Sequence, residues 1–212
     1  MEINNELKKY IEENVFPSYE KNEIGHGIKH IMYVIERSLK FASTIPEINL
    51  DMVYVVAAYH DIGHYVDAKN HEKVSAEMLE KDENLKKYFT KEQIKIMSEA
   101  VHDHRASLDG HPRNIYGKIV SSADRNTSVS APIKRTYSYR IEHRPDLTIE
   151  EVIEESRKYI LRKFGESGYA LDKMYFKDDA YECFVKDVVA LALDKNEFRK
   201  KYIEINKLEL SY

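Results

Sequence analysis

Structure breakers are scarce in this chain, with 7 glycines and 5 prolines among 212 residues. That scarcity, together with abundant Glu, Lys, Leu, Ile and Ala, argues against a turn-rich β architecture and for a mainly helical globule. The only cysteine is Cys183, which excludes an intrachain disulfide and a Cys-x-x-Cys zinc site. A lone thiol suits a reducing compartment, and its neighbours Tyr181, Phe184 and Val185 predict a core thiol on a buried helix rather than a nucleophile. No apolar run approaches the length of a membrane span, and residues 1–6 lack the basic patch and apolar stretch of a signal peptide, so a cytoplasmic protein is expected. Neither sign of charge dominates: 33 Lys plus Arg against 37 Asp plus Glu leave a net charge of −4, without the basic footprint of a nucleic-acid binder. Gly25-His26-Gly27 is too short for a phosphate-binding glycine loop, and no Gly-x-Ser-x-Gly elbow supports a serine hydrolase. Tryptophan is absent while tyrosine reaches 16, a bias for which the sequence offers no mechanism.

What is present reads as one all-α domain over residues 1–212, long enough for one sizeable core and short for two. Hydrophobic periodicity and caps predict helices at about 2–14, 28–42, 51–62, 71–81, 91–104, 114–127, 149–164 and 178–205. Residues 15–27 and 105–113 read as loops, the second because Gly110 and Pro112 break periodicity. Lys134, Arg135 and Arg140, interleaved with Tyr137 and Tyr139, form a basic helical face, either solvated or in contact with phosphate. Residues 208–212 are expected to fray unless a partner docks them.

The dipeptide His60-Asp61 ends the apolar run that begins at Met52. A hydrophobic core wants neither residue, whereas a divalent metal uses both at once. His30 precedes it, near the start of a helix, and Asp124 follows, where Ile119, Val120 and Ala123 set it near an inward face. Taken singly, each has a plainer reading: a hydrogen-bonded helical histidine for His30, and an ion pair with Arg125 or another cation for Asp124. His26 lies between two glycines that permit close approach, although a solvated loop histidine is the default. His64 lies at i+4 from His60 and shares its face only if the helix continues past Gly63.

The order His30, His60-Asp61, Asp124 resembles the HD superfamily of metal-dependent phosphohydrolases, over about residues 24–127. The resemblance implies an HD-type helical bundle with residues 24–127 as its metal-binding core. Residues 128–212 read as helices that complete the domain, and the apolar positions of about 146–212 as part of that core or as a homodimer contact. It implies metal ligation by His30, His60, Asp61 and Asp124, with Asp61 able to bridge to a second ion. The segments beginning at His71 and at His102 resemble the further histidine segments of two-metal members. His102 and His104 point nearly opposite ways on a regular helix, and His104, beside the loop, is the chosen ligand. The cofactor is therefore one or two divalent ions among Mn, Fe, Co, Ni, Zn and Mg. Many members carry Lys or Arg near the position of His64, which here reads as a phosphate contact, a proton donor or a structural histidine.

The activity implied is hydrolysis of a phosphoester or phosphoanhydride of a nucleotide or small phosphorylated metabolite, by metal-activated water. Asp61, His64, Arg105 and Arg125 are the candidate catalytic residues, the two arginines as cations facing phosphate oxygens. Two ions would favour phosphodiesters or dinucleoside polyphosphates, and one would favour nucleoside mono- or triphosphates. The alternative is a metal-stabilised ligand-sensing or interaction domain without significant turnover. Net acidity makes nucleic-acid cleavage the weakest reading.

Overall fold

The computed structural model describes residues 2–22, 24–171 and 174–208. Among them there are helices and no strands, so the all-α expectation holds. Two compact units divide the chain, residues 1–124 and residues 125–212. The first contains α1 (Asn5–Asn14), α2 (Ile28–Ala42), α3 (Leu50–Tyr59), α4 (His71–Lys81), α5 (Lys91–His102) and α6 (Ile115–Ala123), with 3-10 turns at Phe16–Lys21, Ile24–His26 and Glu83–Lys87. The second contains α7 (Ser130–His143), α8 (Ile149–Phe164), α9 (Asp179–Leu193) and α10 (Lys195–Asn206). No helix among the described residues is long and apolar enough to cross a membrane.

The first unit is organised around α3. Every residue from Met52 to Tyr59 is buried, so this helix is apolar on all sides and must lie at the centre. It packs against α1, α2, α4, α5 and α6, while α2 also meets α6 and α5 meets both α4 and α6. Its start is set by Asn49, whose side chain accepts from the Met52 amide. Beyond Tyr59 the α-helix gives way to tight turns in which the Ile62 amide donates to Tyr59, His64 to Asp61 and Val66 to Gly63. His64 therefore does not share an α-helical face with His60.

Three of the 16 tyrosines tie elements of this unit together. Tyr19 is buried and its hydroxyl donates to the Ala58 carbonyl at 2.7 Å, while the Tyr10 and Tyr59 hydroxyls both donate to Asp82. A buried phenol supplies apolar surface and still needs a polar partner, which here ties one element to another.

In the second unit, Ile133, Val152, Ile160, Phe164, Tyr181, Phe184, Val188, Phe198 and Tyr202 form a shared core. Four expectations are corrected there or at its border. The helix expected over 178–205 is two helices, because Asp194 is extended and its carboxylate caps the amides of Asn196 and Glu197. Cys183 is exposed: Tyr181, Phe184, Val185 and Val188 take the inward stripe of α9 and leave Cys183 outside it. Arg140 is not part of a solvated basic face, since it is buried and donates to the carbonyls of Thr136 and Glu155. Helix α6 stops at Ala123 instead of about 127, as Asp124 leaves helical geometry. Of the tail 208–212 expected to fray, Leu208 is described, its amide donating to the Ile203 carbonyl at 3.1 Å, and residues 209–212 lie outside the described residues.

Gly63 fixes how close α4 comes to the end of α3. A Cβ there would meet Val74 Cγ1 at 2.7 Å and the Ser75 nitrogen at 2.8 Å, and the Gly63 amide donates to Ser75 Oγ at 2.9 Å. Backbone thus approaches backbone at the point where α4 delivers His71. Gly63→Ala is expected to force α4 outward at a cost of about 1–3 kcal/mol. A urea denaturation curve measures it, and an unchanged midpoint would contradict this packing role.

Candidate metal centre

Five histidines and two aspartates of the first unit converge beyond the end of α3: His26, His30, His60, His71, His104, Asp61 and Asp124. Each arrives from a helix end. His30 stands in the first turn of α2, His60 and Asp61 directly follow α3, His71 opens α4, His104 lies two residues past α5, and Asp124 terminates α6. Helix ends suit this task because a backbone leaving helical geometry can direct adjacent side chains to one point.

Asp61 is the centre of the group and is almost fully buried. Its two oxygens face different partners. Oδ2 lies 3.5 Å from Nε2 of His30 and 3.5 Å from Nε2 of His60. Oδ1 lies 3.2 Å from Nε2 of His71 and 3.6 Å from Nε2 of His104. On the first side His30 Nε2 is also 3.2 Å from Asp124 Oδ1 and 3.3 Å from His60 Nε2. On the second side the His71 and His104 Nε2 atoms are 3.4 Å apart.

Tautomers follow from the backbone. Nδ1 of His60, His71 and His104 lies 2.8, 3.0 and 2.6 Å from the carbonyls of Ala57, Ala68 and Val101 respectively. A carbonyl only accepts, so each Nδ1 carries a proton and Nε2 is the atom that each ring turns toward Asp61. Imidazole nitrogens gathered around one another and a carboxylate hold together only with positive charge among them, as protons on Nε2 or as a metal ion. Metal bonds of about 2.0–2.2 Å put adjacent donors about 2.8–3.6 Å apart in octahedral or tetrahedral sites. The separations of 3.2–3.6 Å fall in that range on both sides of Asp61. The donor set therefore fits a divalent ion, with His30, His60, Asp61 and Asp124 as one group and Asp61, His71 and His104 as another.

Electrostatics agree with that chemistry. Burial pushes the His60 imidazole down to about 4, against the pull of Asp61 and Asp124, so it is neutral at pH 7. Burial opposes ionisation of Asp61, yet His60 and hydrogen bonds from the surrounding histidines outweigh it and hold the carboxyl well below its ordinary value. Asp124 is likewise held low, with His30 and His60 outweighing burial. Burial lowers the His71 imidazole, but Asp61 more than reverses this and raises it.

The remaining sequence candidates are distributed around this core. His102 is exposed at the end of α5 and bonds Asp103 at 3.1 Å, so of the two neighbouring histidines His104 is the one at the centre. His64 is buried and stacks on His26, with ring centroids 4.0 Å apart. Arg105 is tied to the start of α4, where it donates to the Lys69 carbonyl at 2.9 Å and to Glu72 at 3.0 Å. Arg125 opens the second unit, next in sequence after Asp124. His26 is the residue that sequence reasoning undervalued: instead of lying in water, its Nδ1 is 2.7 Å from Asp61 Oδ2. The flanking glycines were the only signal for it.

The shift of His60 has a consequence for stability in the metal-free protein. Between about pH 4 and 6.5 the unfolded chain binds a proton at this residue and the folded chain does not, so the contribution of His60 falls as pH drops through that window. The full effect is about 3 kcal/mol. Urea titrations of chelator-treated wild type and His60→Gln at pH 7 and pH 4.5 are expected to show the larger loss in wild type. Equal losses would contradict a buried neutral imidazole.

Residues 27–127 match the family model of the HD domain. No curated protein matches the chain. Among solved structures, the chain is similar to the crystal structure of a predicted HD superfamily hydrolase from an uncultured Thermotogales bacterium, at 19% identity, with 94% of this chain and 90% of that chain covered and a TM-score of 0.49. His30, His60, Asp61, His71, His104 and Asp124 all lie within the matched segment, whereas His26 precedes it by one residue. The resemblance read from the order of His30, His60-Asp61 and Asp124 is thus matched by the HD-domain family model over residues 27–127, the segment that holds these side chains.

Proposed function

We propose that the protein is a metal-dependent phosphohydrolase acting on a phosphoester or phosphoanhydride of a nucleotide or other small phosphorylated metabolite. The observation that carries the reading is the division of the two Asp61 oxygens between two sets of imidazoles. In this reading His30, His60, Asp61 and Asp124 hold one divalent ion and Asp61, His71 and His104 a second. The chemistry such ions supply when bound is activation of water near neutral pH and neutralisation of charge on phosphoryl oxygens.

The protein's own residues do the rest. Carbonyl hydrogen bonds at Nδ1 keep His60, His71 and His104 oriented, so little reorganisation is needed when ligands bind. His64, beside His26 and His71, is assigned to contact a phosphate oxygen or to protonate the leaving group. Arg105 serves as a tethered cation whose position Glu72 limits. Arg125 enters as the second cation on its adjacency to Asp124 in the chain. A net charge of −4 supports a small phosphorylated partner over nucleic acid, and the single thiol supports a reducing, cytoplasmic setting. A homodimer contact through the C-terminal helices belongs to the same proposal.

Two centres sharing a carboxylate favour phosphodiesters and dinucleoside polyphosphates over monoesters. The test is steady-state hydrolysis of bis(p-nitrophenyl) phosphate and a nucleotide panel by manganese-loaded protein. Asp61→Ala is expected to remove at least about a thousandfold of the turnover, since it takes a ligand from both ions. Failure of the loaded wild type to turn over any phosphoester would put the ligand-sensing alternative in its place.

A further inference from the structure

The contact between His26 and Asp61 differs in kind from the others around this carboxylate. At 2.7 Å from Nδ1 to Oδ2 it has the length of a charge-assisted N–H···O⁻ hydrogen bond, whereas the four imidazoles on the metal-facing sides stand 3.2–3.6 Å away. A carboxylate only accepts, so His26 Nδ1 donates to Asp61, while Nε2 of each of the other four faces it from these longer distances. Its delivery is equally specific. The Asn22 amide nitrogen donates to the His26 carbonyl at 2.9 Å and to the Asp61 carbonyl at 3.0 Å, and its oxygen accepts from the Tyr65 amide at 2.9 Å. One side-chain amide therefore fastens the turn at Ile24–His26 to the turns that follow α3. The His26 ring then lies nearly parallel to His64, at an interplanar angle of 17°.

The geometry points to His26 and Asn22, both outside the matched family segment, as positioning residues that hold Asp61 in its bridging orientation. A carboxylate rotates easily about its last bond, and only one orientation gives an oxygen to each set of imidazoles. The His26 N–H fixes Oδ2 in that orientation, and the Asn22 amide fixes His26. The inference rests on the two-centre reading above. Hydrogen bonds to a ligating group are worth about 10–100-fold in metal affinity, which sets the size of the effect to look for.

Two substitutions separate the hydrogen bond from the ring. His26→Phe keeps an aromatic face for His64 and loses the donor. His26→Asn loses the stack and keeps a nitrogen donor at the position of Nδ1. Manganese titration followed by electron paramagnetic resonance reports both affinity and the exchange-coupled signal of two ions on a shared ligand. Wild type is expected to bind two ions with a coupled signal. His26→Phe should bind the second ion about 10–100-fold more weakly and lose coupling, with His26→Asn close to wild type. Asn22→Ala should weaken the second ion in the same direction, and it serves as the test if His26→Phe does not fold. Wild-type affinity and coupling in both His26→Phe and Asn22→Ala would overturn the inference, as would His26→Asn as weak as His26→Phe. A wild type that binds one ion would end the two-centre reading instead. His26 would then be judged on that ion, with an unchanged Kd in His26→Phe overturning its role and a weaker one upholding it.

Discussion

Burial of the Asp61 carboxylate is the constraint on which the rest of the first unit depends. A charged group taken out of water costs several kcal/mol unless partners replace its hydration. Asp61 sits 2% exposed at the end of the most apolar helix of the chain, so its surroundings must supply that replacement. They do so with imidazoles, not with lysine or arginine. An ammonium or guanidinium would have closed the site as a permanent ion pair. Imidazoles leave it without a permanent cation, and a divalent ion would complete it.

The architecture follows from bringing those imidazoles together. His60 comes with Asp61 on the central helix, and His71 requires the first turn of α4 to approach the backbone of Gly63. His104 requires α5 to end at His102, and that end is fastened by Asp103, which accepts from the backbone and side chain of Arg113. Asp124 requires α6 to stop at Ala123, whose carbonyl takes the Arg37 guanidinium from α2 at 3.0 Å. Helix ends, more than helix faces, therefore carry the site, and each end has an identifiable lock. The rings of His60, His71 and His104 are in addition anchored by backbone carbonyls before any ion arrives.

Much of this was legible in the residues. His60-Asp61 stood out because the apolar run before it left no other use for a buried acid and imidazole. The bounds of α2, α4 and α8 followed from periodicity and caps, and the structure has them at Ile28–Ala42, His71–Lys81 and Ile149–Phe164. What escaped was decided by contacts distant in sequence or by one local competition. Asp194 looked like a helix residue until its carboxylate proved to cap α10. Cys183 had apolar neighbours along the chain but faces away from them on the helix. His26 could not be assigned from a glycine-flanked loop, because its place depends on a single amide, Asn22, and on Asp61 some 35 positions on.

The central claim is that Asp61 is shared between two cation sites. Anomalous scattering at the manganese edge, from crystals of manganese-loaded protein, tests it most directly. The account predicts two peaks, one among His30, His60, Asp61 and Asp124 and one among Asp61, His71 and His104, with one Asp61 oxygen directed to each. A single peak that leaves His71 and His104 unligated, or no peak at Asp61, would contradict it.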